Sequence, residues 1–416
     1  MIRVTAPENS IEGSIDLPLS KSISNRALVL NLVRNGCFRL DRLSDANDTV
    51  IMQKALMQIS MRSQATIDAE DAGTCMRFLT ALLSIVEGEW LLTGTERLRE
   101  RPLGVLAESL IALGADISFI GKQGHLPLKI KGKHLSGGRV EIKGDISSQF
   151  ISALLLIAPS FENGLELVIR GDLVSRPYVN MTTDLLRKAG VAVSDMGAII
   201  KVSRAGKAPD PFDFRVEADW SAASYYYGIC ALSPSATITL SGLQEKSIQG
   251  DSVLPSLFKT LGVQTVFYDN YIVINRTLQT ATEFIYDFRD CPDLAQTLAV
   301  ACFALNIRAR LTGLATLRVK ETDRLAALCA ELGNLGADVS ATSDSLTLGA
   351  PHLKPFKGNN TPVINVYNDH RMAMSFALLS LRYDKLSLRD HSVVSKSYPA
   401  FWEHLKSLGF SLDLLP

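Results

Sequence analysis

The chain has 416 residues, 43 basic against 43 acidic, with 47% hydrophobic and 7% aromatic content. At roughly 100–200 residues per domain this length implies two or three domains, and balanced charge excludes recognition of nucleic acid or an acidic membrane through an overall field. Residues 1–10 (MIRVTAPENS) lack a basic-then-apolar leader, no apolar run approaches the roughly 18 residues of a spanning helix, and six scattered cysteines without metal spacing read as reduced thiols, so a soluble cytoplasmic protein is expected.

In chain order, a first helix is predicted at 24–33 (SNRALVLNLV), and others of the same kind at 72–86, 147–159, 221–232, 293–305 and 369–381. After a polar first turn each is apolar nearly all round, the mark of a helix enclosed by protein. Between them a second phrase recurs: an amphipathic stretch that closes on glycine, then an alternating strand, a polar turn and a second strand. Its glycines are Gly114, Gly190, Gly262, Gly336 and Gly409, spaced 72 to 76 residues apart. Each is predicted to be a left-handed helix cap followed by a half-buried strand. The amphipathic helices, such as 321–336 (ETDRLAALCAELGNLG), belong on the periphery. Units this long exceed the 20–45 residues of thin solenoid repeats, and the pattern predicts two α/β lobes of three units each.

Polar residues gather at the starts of the enclosed helices. Single Ser or Asp residues there are sufficiently explained as N-caps. Lys21, Arg26, Arg77 and Arg371 are not, because a cation in or beside a first turn opposes the helix dipole, whereas a bound anion would satisfy both. The densest segments are PLSKSISNR (18–26), DAGTCMR (71–77), RVKETDR (318–324) and YNDHRMAM (367–374). Together they point to an anionic, phosphorylated substrate. The competing explanation is surface charge paired with nearby acids.

These motifs, in this order and over essentially the whole chain, resemble the 5-enolpyruvylshikimate-3-phosphate synthase family of enolpyruvyl transferases; RVKETDRL and YNDHRMAM are its most specific marks. The resemblance implies a two-domain inverse α/β barrel-like fold of six βαβαββ repeats, three per domain, around buried parallel helices. It implies residues 1–20 with 220–416 as one discontinuous domain, 21–219 as the other, and an active site in the interdomain cleft. The implied reaction moves the enolpyruvyl group of phosphoenolpyruvate to the 5-hydroxyl of shikimate 3-phosphate and releases phosphate, without metal or organic cofactor, in aromatic amino acid biosynthesis. Phosphoenolpyruvate and shikimate 3-phosphate are then the partners of a monomer, with no nucleic acid or membrane.

By the same resemblance the catalytic residues are Glu321, which protonates and later deprotonates the methylene carbon, Asp293, which accepts or orients the proton of the hydroxyl, and Lys21, which touches both substrates and assists proton transfer. Shikimate 3-phosphate falls to Lys21, Ser22, Arg26, Ser147, Ser148, Gln149, Ser175, Tyr178, Asp293 and Lys320. Phosphoenolpyruvate falls to Lys21, Gly73, Arg101, Gln149, Arg324, Arg371 and Lys396. Leu19, Asp71, Phe78 and Thr316 depart from the family pattern, with Asp71 putting a carboxylate near the expected phosphate. Plainer readings make Glu321 an N-terminal helix carboxylate paired with Arg324 and Asp293 an N-cap. Two rivals remain: an enolpyruvyl transferase acting on UDP-N-acetylglucosamine, for whose reactive-loop cysteine the nearest candidate, Cys75, sits in an apolar helix start and reads as core, and a non-catalytic phosphate-ligand binder on the same fold.

Overall fold

A computed structural model describes residues 1–145, 147–349, 361–383 and 385–415. Its unit of construction is a strand, a buried helix, a parallel strand, an outer helix and an antiparallel hairpin. The clearest copy runs Gln64–Asp68, helix Gly73–Ile85, Gly88–Thr93, helix Gly104–Ala112, Asp116–Phe119 and Leu128–Gly132. The first and third of these elements pair in parallel, and the last two pair antiparallel. Parallel pairing across a helix recurs at Gly138–Lys143 with Leu165–Arg170 and at Glu283–Asp287 with Arg308–Thr312.

The chain divides into two compact units, Met1–Leu19 with Glu217–Pro416, and Ser20–Val216. In the first unit the helices Trp220–Leu232, Ala295–Ala304 and His370–Ala377 pack on one another, and every residue of all three is buried. One buried hydroxyl from each forms a chain, Ser224 Oγ to Thr297 Oγ1 at 3.1 Å and on to Ser375 Oγ at 3.2 Å. In the second unit the enclosed helices are Lys21–Val33, Gly73–Ile85 and Ser148–Ile157. None of these six helices carries the polar face a surface helix needs, which is why their sequences read as apolar all round. Among the described residues no helix is long and apolar enough to cross a membrane.

All five recurring glycines have positive φ, from 75° at Gly190 to 99° at Gly114. Only glycine takes that conformation without steric cost, so the turn from each outer helix to its hairpin depends on them. Four hairpins follow directly in sequence. The fifth is completed differently: the strand after Gly409, Ser411–Leu414, pairs antiparallel with the chain's own first strand, Ile2–Thr5. A similar exchange occurs where the chain passes between units. Ile11–Asp16 pairs in parallel with Ala236–Ser241, and Phe38–Leu40 with Phe212–Phe214.

One predicted element begins later than its sequence pattern suggests. The helix expected over 321–336 runs Arg324–Asn334, because the Asp323 side chain accepts from the Ala326 amide at 3.1 Å and caps it there. Glu321 therefore lies in a loop ahead of the helix and is not an N-terminal helix carboxylate. Asp293 likewise sits inside the 3-10 turn Pro292–Leu294, one turn before the helix Ala295–Ala304, and does not cap it.

Candidate active site

In the first unit the site grows around one side chain. Arg324, at the start of its helix, is 1% exposed and donates in three directions. Its Nε reaches Asp369 Oδ2 at 2.7 Å, Nη1 reaches Asp293 Oδ1 at 3.1 Å, and Nη2 reaches Glu321 Oε2 at 2.8 Å. The planar guanidinium thus fixes three carboxylates that arrive from three separate segments. Arg371 Nη2 donates to Asp293 Oδ2 at 2.9 Å, while Lys320 Nζ lies 3.7 Å from Asp293 Oδ1 and Lys396 Nζ 3.5 Å from Glu321 Oε1. Four cations thus gather around Asp293, Glu321 and Asp369, with donors of the kind an added carboxylate or phosphate needs.

The electrostatics follow from that count. Burial pushes the Asp293 carboxyl up, but Arg371, Lys320 and Arg324 outweigh it and hold it far below the usual carboxylate range. Burial also draws Lys320 down, only partly offset by Asp293. Arg324 goes the other way: its burial would lower it, yet Asp369, Glu321 and Asp293 raise it. Asp293 is therefore a firm anion and a strong hydrogen-bond acceptor. Asp251, on the 3-10 turn Gly250–Val253, is the opposite case. It is buried within electrostatic reach of Asp293, bonded to Ser221 Oγ, and burial pushes its carboxyl up to about 7.

The second unit carries its own polar group at the starts of its enclosed helices. Ser147 caps the helix Ser148–Ile157 by accepting from the Gln149 amide at 3.3 Å. The Gln149 side chain then accepts from Arg77 Nη1 at 2.8 Å and donates to Thr74 Oγ1 at 3.3 Å. Arg77 turns back on its own helix start, donating to the Gly73 carbonyl at 3.0 Å. A Cβ at Gly73 would collide with the Arg101 guanidinium, so glycine is what lets Arg101 and Arg77 lie against the start of that helix. Gly73, Arg101 and Gln149 are thereby brought together, with Arg77 as the link.

Lys21, the first residue of its helix, pairs with Asp48 at 3.0 Å, and the Asp48 carbonyl accepts from Cys75 Sγ at 2.9 Å. Arg26 is buried, and burial lowers it to about 10. Its donors go to Thr182 Oγ1, the Ser22 carbonyl, Ser152 Oγ and the Tyr178 carbonyl, at 2.8, 3.0, 3.1 and 3.4 Å, and its guanidinium lies over the rings of Phe78 and Tyr178. In this structure Arg26 ties together the segments that carry Ser22 and Tyr178. Ser148 and Ser175 are buried at helix starts, Ser175 in a left-handed conformation at φ 56°. Asp71 is exposed and accepts from the Thr95 hydroxyl.

The family model for EPSP synthase (3-phosphoshikimate 1-carboxyvinyltransferase) matches residues 38–405. The chain belongs to the EPSP synthase family. A 3-phosphoshikimate 1-carboxyvinyltransferase of Bacteroides fragilis (strain YCH46) is 42% identical over 417 residues, covering 99% of this chain and 98% of that one. Another, from Photobacterium damsela subsp. piscicida, is 35% identical, with 97% and 98% covered. The solved EPSP synthase of Acinetobacter baumannii aligns with a TM-score of 0.78 at 22% identity, over 99% of this chain and all of that one. That is a likeness of fold: the two-domain inverse α/β architecture of the EPSP synthase family.

Sequence reasoning missed several residues of the two groups. Asp369 reads in sequence as a helix cap, and it is one, accepting from the Arg371 amide at 2.9 Å, but it also holds Arg324. Asp48 lies in SDANDTV with nothing to mark it as the partner of Lys21. Asp251 follows a Gln-Gly pair that reads as an ordinary turn. In each case the partner is 27 or more residues away, and no local pattern encodes it.

Proposed function

We propose that this chain transfers the enolpyruvyl group of phosphoenolpyruvate to the 5-hydroxyl of shikimate 3-phosphate. The observation that carries the reading is the placement of Asp293 and Glu321 on neighbouring nitrogens of one buried guanidinium, inside a ring of cations. In the addition step, the hydroxyl oxygen bonds to C2 of phosphoenolpyruvate as its proton passes to Asp293 with Lys21 assisting, while the methylene carbon gains a proton from Glu321. In the elimination step, the bond from C2 to the phosphate oxygen breaks, phosphate leaves, and a methyl proton is lost. Two carboxylates held a guanidinium's width apart suit proton traffic on two sides of one carbon.

Asp293, kept anionic by its cations, accepts and orients the hydroxyl's hydrogen bond. Glu321 is assigned the carbon proton in both steps. Lys320 joins Asp293 on shikimate 3-phosphate, and Arg324, Arg371 and Lys396 offer phosphoenolpyruvate the forks and ammonium that carboxylate and phosphate need. From the second unit, Lys21, Gly73, Arg101 and Gln149 serve phosphoenolpyruvate. Lys21 and Gln149 also serve shikimate 3-phosphate, with Ser22, Ser147, Ser148, Ser175 and Tyr178. Arg26 serves it by holding Ser22 and Tyr178. A monomer working in the cytoplasm completes the reading.

The rival acting on UDP-N-acetylglucosamine is less well supported. Cys75 is buried and directs its thiol to a backbone carbonyl, which does not suit a reactive loop cysteine. The test is phosphate release from phosphoenolpyruvate with shikimate 3-phosphate, beside UDP-N-acetylglucosamine and a Glu321→Gln control. Release with shikimate 3-phosphate alone, lost in the control, is the expected result. Binding of shikimate 3-phosphate without release in the wild type would overturn the reading in favour of a binding protein.

A further inference from the structure

Lys396 ends the short 3-10 turn His391–Lys396, in which only Val394 is buried. Such a turn has little buried area of its own with which to hold an ammonium in place. The anchor comes two residues later. Tyr398 is 1% exposed, its amide donates to the Val394 carbonyl at 2.8 Å, and its ring stands edge-on to Phe401. Its hydroxyl lies 2.6 Å from that of Tyr226 and 2.7 Å from His404 Nδ1. Tyr226 belongs to the wholly buried helix Trp220–Leu232. The neighbouring residue on that helix, Tyr225, lies within electrostatic reach of Arg371.

Phenylalanine would fill the space of either Tyr226 or Tyr398 without burying a hydroxyl. Burying two hydroxyls costs free energy unless they satisfy each other. When His404 Nδ1 accepts from Tyr398, Tyr398 accepts from Tyr226; when it donates to Tyr398, Tyr398 donates to Tyr226. In both cases the chain of bonds fixes Tyr398 to a rigid helix, and with it the backbone next to Lys396. Core packing alone does not need these oxygen atoms.

We propose that Tyr226, Tyr398 and His404 are positioning residues for Lys396, holding its ammonium beside Glu321 so that phosphoenolpyruvate meets it in one geometry. This rests on the assignment of Lys396 to phosphoenolpyruvate made above. The test compares the full-length wild type, Tyr398→Phe, Tyr226→Phe and the double variant. Each single change is expected to raise KM for phosphoenolpyruvate by about fivefold to tenfold, with kcat moved by less than about twofold and KM for shikimate 3-phosphate unmoved. The double variant removes the Tyr226 hydroxyl that Tyr398→Phe alone leaves stranded, so its melting temperature is expected to recover from that of Tyr398→Phe while its raised KM persists.

An unmoved KM in both single variants would overturn the proposal. So would a KM that recovers together with the melting temperature, since both outcomes mean core packing and nothing more. Wild-type turnover tests the functional reading separately. If the wild type releases no phosphate, that reading fails, and amide exchange then decides the positioning claim. Exchange at Ser397 and Tyr398 that is about tenfold faster in the single variants supports the proposal, and unchanged exchange defeats it.

Discussion

Arg324→Met is the sharpest test of how the carboxylate group is held. The wild-type guanidinium is 1% exposed and bonds Asp369, Glu321 and Asp293 at 2.7, 2.8 and 3.1 Å. Methionine keeps much of the volume and removes all four of the guanidinium's hydrogen bonds to them, two of which go to Asp369. Asp293 retains Arg371 at 2.9 Å and Glu321 retains Lys396 at 3.5 Å, so the residue left worst off is Asp369, fully buried in its own side chain. Breaking one side of a buried ion pair costs about 3–5 kcal/mol, chiefly from the charge left behind. Adding Asp369→Asn removes that charge, and the pair of changes is expected to recover about 1–3 kcal/mol of the loss. The measurement is urea unfolding of wild type, both single variants and the double variant, followed by far-ultraviolet circular dichroism at pH 7. A loss below about 1 kcal/mol for Arg324→Met, or strictly additive effects in the double, would refute the claim that these residues form one buried network.

Gly73→Ala pushes the Arg101 guanidinium aside without touching the backbone. KM for phosphoenolpyruvate is expected to rise about tenfold in steady-state kinetics while the urea midpoint hardly moves, since a displaced arginine fork costs one to two charge-assisted bonds. At Ser175 the left-handed backbone costs about 1 kcal/mol that glycine would avoid. Ser175→Gly should therefore unfold at higher urea yet show a raised KM for shikimate 3-phosphate, and a fall in both would contradict the assignment. For Asp251, the folded pKa of about 7 lies above the unfolded value of about 3.9. Its contribution to stability is thus fully present below pH ~3.9 and declines as pH rises to about 7. Asp251→Asn should remove that decline, so its urea midpoint gains on the wild type between pH 4 and 7 and runs parallel above; a constant difference would show that Asp251 is ionised throughout.

Much of this molecule could be read directly from its residues. The 72- to 76-residue spacing of the five glycines, and the helices that are apolar all round, follow from short-range rules. A left-handed cap needs glycine, and an enclosed helix needs no polar face. Both signals are local, so the repeat and the enclosed helices stand out in the sequence. The cations at helix starts were visible for the same reason, because Lys21, Arg77 and Arg371 contradict the dipole of the helices they begin.

What tertiary structure alone decided is pairing. That Asp369 holds Arg324 from 45 residues away, that Asp48 meets Lys21, and that Ile2–Thr5 closes a hairpin begun after Gly409 all depend on long-range contacts. The start of the Arg324 helix belongs to the same class of decision. Sequence pattern put Glu321 inside that helix, whereas the Asp323 cap leaves it in the preceding loop, free to meet Arg324 and Lys396 together. Composition and periodicity specify which faces are buried, but a buried charge is stable only beside its counter-charge. Where that counter-charge comes from is settled when distant segments pack.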